Sequence, residues 1–222
     1  MTYQEIVDYL FSNRDEKHAK FSGTLSNSEY ITIGVKNPVL RQLAKDHYKD
    51  KDLLFEDFEL SKYLEVDFVY FAVGLKRCKN IQEQLEFLDK NLKYAKSWAI
   101  TDTINNSLKK CDFDLFWEFF LNHYNSEHLY TRRFAYIFGL TQYKNERIVY
   151  VFDHLREFDE YMVMMSEAWL LQTIAICYPN SVYETLSKLK DQKLKLKTIS
   201  KICDSFRFSE AQKERFKSLR LK

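Results

Sequence analysis

Four glycines and two prolines in 222 residues leave this chain few sharp turns and little to interrupt a helix. Strand-like alternation bounded by turn residues is hard to find, whereas helical spacing recurs throughout. Phe134, Ile137 and Phe138 fall on one side of a helix, as do Trp169, Leu170, Thr173 and Ile174. The chain reads as all-α. With 45% apolar residues and 16% aromatics it can bury a large core, which excludes a disordered chain.

Start signals place the helices. Thr2 opens a first helix to about Ser12. From Arg14 to Ile33, with Gly23 and Ser22, Ser26 and Asn27, the chain supports one short helix of one or two turns. Gly34 marks a turn. Asn37-Pro38 reads as an N-cap and a proline at the first helical position, leading into VLRQLAKDHYK. Further helices are expected over 61–78, 80–94, 97–110, 113–125, 127–142, 145–156, 159–177, 180–190, 192–204 and 208–219.

These helices pair. The first members begin near Ser61, Ser97, Glu127, Asp159 and Gln192, a nearly constant step, with short connections between partners. A recurrent helix pair of this period predicts an α-α superhelix, a curved solenoid of HEAT-like repeats whose concave face binds. Tetratricopeptide repeats share the period, but their W-x2-L-G-x2-Y pattern and closing proline are absent. Nothing marks a domain boundary, so residues 1–222 are expected to form one domain: 1–35 as an N-terminal helix and irregular segment, 36–222 as stacked helix pairs.

The ionisable residues narrow the function classes. Cys78, Cys111, Cys177 and Cys203 lie far apart and make no C-x-x-C pair, and no histidine falls in H-E-x-x-H, so buried free thiols and no metal or other cofactor are expected. No segment approaches the roughly 18 consecutive apolar residues of a membrane span, and acids come early in MTYQEIVDYLFSNRDEK. A soluble, cytoplasmic monomer is expected. The net charge of +2 hides an asymmetry: Lys188 to Lys222 hold 12 Lys and Arg against 4 Asp and Glu. That basic end suits a polyanionic partner, and equally a solvated face on the last helices.

Trp98 and Asp102, four residues apart behind a plausible N-cap at Ser97, share one helix face. A large aromatic surface beside a carboxylate can hold and stabilise positive charge. Each residue also has a plain structural role open to it. Trp98 and Trp169 would serve as core, Asp102 as a solvated acid, and Arg132-Arg133 as a surface pair near a helix start.

The segment Tyr30-Ile-Thr-Ile-Gly-Val-Lys-Asn-Pro-Val-Leu-Arg41-Gln-Leu-Ala-Lys45 resembles the entry helix of the HEAT-like-repeat DNA glycosylases, the alkylation-repair proteins of AlkD type. Their signature is a Gly-Val/Ile-x-x-Pro turn followed by x-x-Arg-x-Leu-x-Lys. Trp98-x-x-x-Asp102, Arg132-Arg133 before an apolar helix, and Trp169 ten residues ahead of Pro179 follow in the right order. The resemblance spans about residues 30 to 205. It implies excision of cationic alkylpurines, such as 3- or 7-methylpurines, from duplex DNA without base flipping. It further implies that Asp102 stabilises an oxocarbenium-like sugar and positions water, that Trp98 and Trp169 cradle the deoxyribose, and that Arg133, assisted by Arg132, holds backbone phosphate.

The segment EKHAKFSGTLSNSEY departs from the resembled enzymes, which carry a well-formed helix before the Gly-turn. Phe21 and Leu25 followed by Gly34-Val35 look like a divergent branch with that element shortened. Three functions therefore fit: an alkylpurine DNA N-glycosylase, a paralogue that binds damaged or branched DNA with little or no excision, and a helical scaffold anchoring a protein partner on its tryptophans.

Overall fold

The computed structural model describes residues 1–26, 29–155 and 160–221. Among these, twelve α-helices account for most of the chain and no strand forms. The protein is all-α. None of these helices is long and apolar enough to cross a membrane. The chain packs as two compact units, Met1–Cys111 and Asp112–Lys222, and no Gly- or Pro-rich linker marks the joint.

The first unit contains α1 (Tyr3–Ser12), α2 (Glu16–Ser26), α3 (Asn37–His47), α4 (Leu64–Arg77), α5 (Ile81–Asn91) and α6 (Trp98–Ser107). Thr2 closes a capping box with Glu5 at the start of α1. Ser97 caps α6 by accepting the Ala99 amide at 3.2 Å. At α3 the cap sits one residue earlier than expected: Lys36 is the N-cap and Asn37 is already helical, with no side-chain cap.

α2 is three turns long, not the one or two expected. Its start is held by the Asp15 carboxylate, which accepts the His18 amide at 3.0 Å and is thereby kept below the usual carboxylate range. The Thr24 and Ser26 hydroxyls donate to the carbonyls of Lys20 and Gly23, so residues that usually compete with helix are satisfied within it. Asn27, in the same expected stretch, lies outside the described residues.

α4 is the central helix of this unit. Its sequence, LEVDFVYFAVGLKR, is apolar nearly all round, and all but its last two residues are buried between neighbours that include α3 and α6. Phe55, Phe58, Phe71 and Phe87 pack edge-on or tilted around Tyr70. Phe87 also fixes Gly74. A Cβ there would lie 2.6 Å from its Cε2, so Gly74→Ala should lose about 1–3 kcal/mol to overpacking, less the helix-propensity gain of about 0.5–1 kcal/mol. A urea titration measures it.

Two buried acids at the start of α4 organise the polypeptide before α3. Glu65 accepts the amides of Ile33, Gly34 and Val35 at 2.9, 2.7 and 3.3 Å. Asp67 accepts the Tyr30 hydroxyl and, with both oxygens, the amide of Ser61, whose φ of 67° is left-handed. The Tyr30 oxygen in turn accepts the Lys96 amide at 3.1 Å and lies 3.1 Å from the Tyr94 carbonyl, which ties this node to the chain entering α6.

Burial pushes the Asp67 carboxyl up to about 6, against the opposing pull of Tyr30, Ser61 and Lys96. Unfolded, the group titrates near the ordinary aspartate value of 3.8. Between these values Asp67 in the folded chain keeps a proton that it has lost in the unfolded chain, so its contribution to stability falls as pH rises from about 4 to 6 and stays lowered above. The expected drop is about 3 kcal/mol. Asp67→Asn should flatten it, as read by urea midpoints at pH 4.5 and 7.

The second unit contains α7 (Phe113–His123), α8 (Leu129–Gly139), α9 (Tyr161–Ile174), α10 (Pro179–Lys188), α11 (Gln192–Asp204) and α12 (Glu210–Lys217). α9, apolar through most of its turns, packs between α8 and α11. The aromatic core of Phe116, Phe119, Phe120, Phe134 and Phe138 lies between α7 and α8. Residues Glu146–His154 form a 3-10 run where an α-helix over 145–156 was expected. The run is rich in β-branched and aromatic residues that favour α-helix weakly, and the Tyr136 hydroxyl claims its last carbonyl at 2.9 Å. The expected starting residue Asp159 and end residue Arg156 lie outside the described residues. Of the four free cysteines expected to be buried, only Cys111 is, and Cys177 is exposed.

Candidate functional site

In the first unit, three helices shape one trough, and each contributes residues four apart. Leu64, Phe68, Ala72 and Lys76 of α4 form its floor. Asn37, Arg41 and Lys45 of α3 form one wall; Trp98, Asp102 and Asn106 of α6, with Ala99, Thr103 and Ser107, form the other. The early residues of all three helices line the same end, so the helices run in the same direction. The trough holds a recess of about 500 Å³ at the Trp98 end and a second of about 690 Å³ toward Lys76. The two recesses share Asn37, Pro38, Arg41, Phe68, Thr103 and Asn106.

Trp98 and Asp102 thus come together on one face, as their spacing predicts. Both are half-buried at the edge of the first recess. The indole is not mobile core: its Nε1 donates to the Leu25 carbonyl at 3.1 Å, which locks the ring against the end of α2. The Thr101 hydroxyl lies 3.4 Å from Asp102 Oδ1 and 2.9 Å from the Trp98 carbonyl. α2 closes this end with His18, Phe21 and Leu25, and the last two remain more than half exposed. The recess therefore brings a carboxylate, an oriented indole and two apolar side chains into a solvent-accessible space. That set suits a flat or weakly polar cation better than a hydrated inorganic ion.

The other expected residues sit in the second unit. Trp169 is 37% exposed on α9, so it is not core; Lys201 Nζ lies 6.0 Å from its ring centroid. Tyr161, eight residues before it and also exposed, has Lys197 Nζ 5.7 Å from its ring. α9 and α11 thus present an aromatic and lysine stripe. Arg132 and Arg133 are more enclosed than a surface pair. Arg132 donates to the Ser126 and Glu127 carbonyls at 2.8 and 3.2 Å and pairs with Glu160. Arg133 is only 5% exposed and donates to the Met162 carbonyl at 2.8 Å. Both guanidinium groups therefore tie α8 to the first turn of α9.

Sequence reasoning did not pick out Lys76, Tyr161, Lys197 or Lys201, and it used Arg41 and Lys45 only as markers of a resemblance. Their signal was same-face spacing: 41 and 45 on α3, 161 and 169 on α9, 197 and 201 on α11. Among the described residues no three His, Cys, Asp or Glu side chains converge as metal ligands.

A family model described as DNA alkylation repair enzyme matches residues 6–201. The chain belongs to this DNA alkylation repair enzyme family. The match takes in α2, the turn before α3, the whole trough and α9, so the features above lie within the part of this family member that defines it. No curated protein matches the chain.

Proposed function

We propose that the protein excises cationic alkylpurines, 3- and 7-methylpurines among them, from duplex DNA by hydrolysing the N-glycosidic bond. The observation that carries this is the Trp98–Asp102 pair: a solvent-accessible carboxylate one helical turn from an indole held in place by Leu25, in an open trough. A base that is already positively charged leaves without being protonated. The remaining demands are stabilisation of the developing sugar cation and delivery of water, and one fixed carboxylate meets both. The π-face of Trp98 adds attraction for the cationic nucleotide. On the second unit, Trp169 offers a further exposed indole for stacking on DNA, and Arg132 and Arg133 hold the start of its helix.

Two features support action on an unflipped base. The Trp98 end is a recess in a trough wall, not a sealed chamber, and the exposed side chains of Phe21 and Leu25 leave its rim apolar. The test is chromatography of the small molecules released from methylated duplex DNA. Free 3- or 7-methylpurine above a protein-free control supports the proposal. Retention of DNA without release would point instead to a binding paralogue, and neither retention nor release to a protein scaffold.

A further inference from the structure

Four cations line the trough: Lys36 at the Trp98 end, then Arg41, Lys45 and Lys76 toward the other. All four are exposed, and among the described residues none makes an ion pair. Among the described residues the only acids lining it are Asp102 and Glu65, and Glu65 is buried with its oxygens committed to three backbone amides. Arg41, Lys45 and Lys76 thus carry positive charge that no ion pair among the described residues ties up, and it is spread along the trough. Arg41 and Lys45 lie one turn apart on the same face of α3, and Lys76 rises from the floor at the far end. From Leu64 to Lys76 the α4 floor runs about 18 Å. A single bound anion would need cations converging on one point. Cations in series, with the Asn106 amide beside them, suit anions in series.

We propose that Arg41, Lys45 and Lys76 form a phosphate track that takes successive backbone phosphates of one DNA strand, leading away from the nucleotide that faces Asp102. This rests on the reading of the trough as a DNA site and specifies which part of the strand it holds. The polarity follows from the trough itself: the aromatic and the carboxylate line only the Trp98 end, for the sugar and base, while Lys45 and Lys76 line only the other, for the adjoining backbone.

The test compares wild type with two triple variants, Arg41→Gln/Lys45→Gln/Lys76→Gln and Lys51→Gln/Lys79→Gln/Lys90→Gln. The second removes the same charge from positions in this unit that line neither recess. Affinity for an unmodified duplex is measured across salt concentrations, with circular dichroism to verify folding. Each lost phosphate contact removes about 0.9 from the slope of log K against log salt. The track variant should therefore be shallower by about 2.7, and the control should keep the wild-type slope. Because phosphate contacts carry no base information, duplexes with and without a methylated base should weaken by the same factor. Equal slopes for wild type and the track variant, or an equal loss in the control, would overturn the track while leaving the DNA-site reading intact. Failure of the wild-type protein to bind duplex at any salt would remove both.

Discussion

Replacing Asp102 with asparagine is expected to lower base release from methylated duplex by about 10²–10³-fold, the usual scale for deleting one charge-stabilising group at a reacting centre. Asparagine keeps the shape of the side chain, and Thr101 Oγ1, 3.4 Å from Asp102 Oδ1, can still meet an acceptor there. What it loses is the negative charge that opposes the developing sugar cation. Duplex affinity should be unchanged or slightly tighter, since an anion facing DNA has been removed. Trp98→Ala should cost less, about 2–30-fold, in line with an aromatic face that attracts a cation without carrying the reaction. Because the Leu25 carbonyl would also lose its indole donor, Trp98→Phe separates stacking from anchoring. Gas- or liquid-phase separation of free methylpurine, with binding measured in parallel, reads both effects.

Replacing Glu65 with alanine is expected to be the most damaging single change to the first unit. Three amides in succession, at Ile33, Gly34 and Val35, would lose their acceptor inside the protein. Charge-assisted bonds of this kind contribute about 1.5–3 kcal/mol each, and orphaned buried amides carry their own penalty, so a loss of about 3–6 kcal/mol follows. That is a large part of a typical domain's stability. The turn cannot relax around the gap. Gly34 has φ of 101°, and a Cβ there would lie 2.8 Å from the Ala19 amide nitrogen, so α2 is packed directly against it. Gly34→Ala should therefore destabilise the same segment. Glu65→Gln, which keeps one acceptor oxygen, should fall between wild type and alanine. Urea midpoints followed by helical circular dichroism give all three values.

Helical spacing marked the chain as all-α, and cap residues placed most of its helix starts. Helix starts expected near 61, 97, 127 and 192 fall at Leu64, Trp98, Leu129 and Gln192, the last three just behind residues whose side chains cap them. α2 was underestimated because Gly23 and its hydroxyl neighbours read as helix breakers, whereas their hydroxyls bond back onto helix carbonyls and Asp15 fixes the start. At α3, Pro38 correctly marked the entry but pulled the cap one residue too late.

For the site, the i, i+4 pairing of Trp98 and Asp102 was visible in the letters alone. The exposure of Trp169 was not, since EAWLLQTIAI gives no sign which residue faces out. Nor was the enclosure of Arg133: its partner, the Met162 carbonyl, is a backbone group 29 residues away. The trough cations escaped for a related reason. Arg41 and Lys45 are ordinary surface residues until α4 supplies a floor and α6 an opposite wall.

The central claim is that the Asp102 carboxylate assists cleavage of the bond between a cationic purine and its sugar. Its most direct test is single-turnover release of free 7-methylguanine from a duplex carrying one such base, with wild type and Asp102→Asn side by side. Release well above the protein-free rate with wild type, falling close to that rate with the variant while both still bind the duplex, is the predicted result. Wild-type release no faster than without protein, or a variant as fast as wild type, would contradict it.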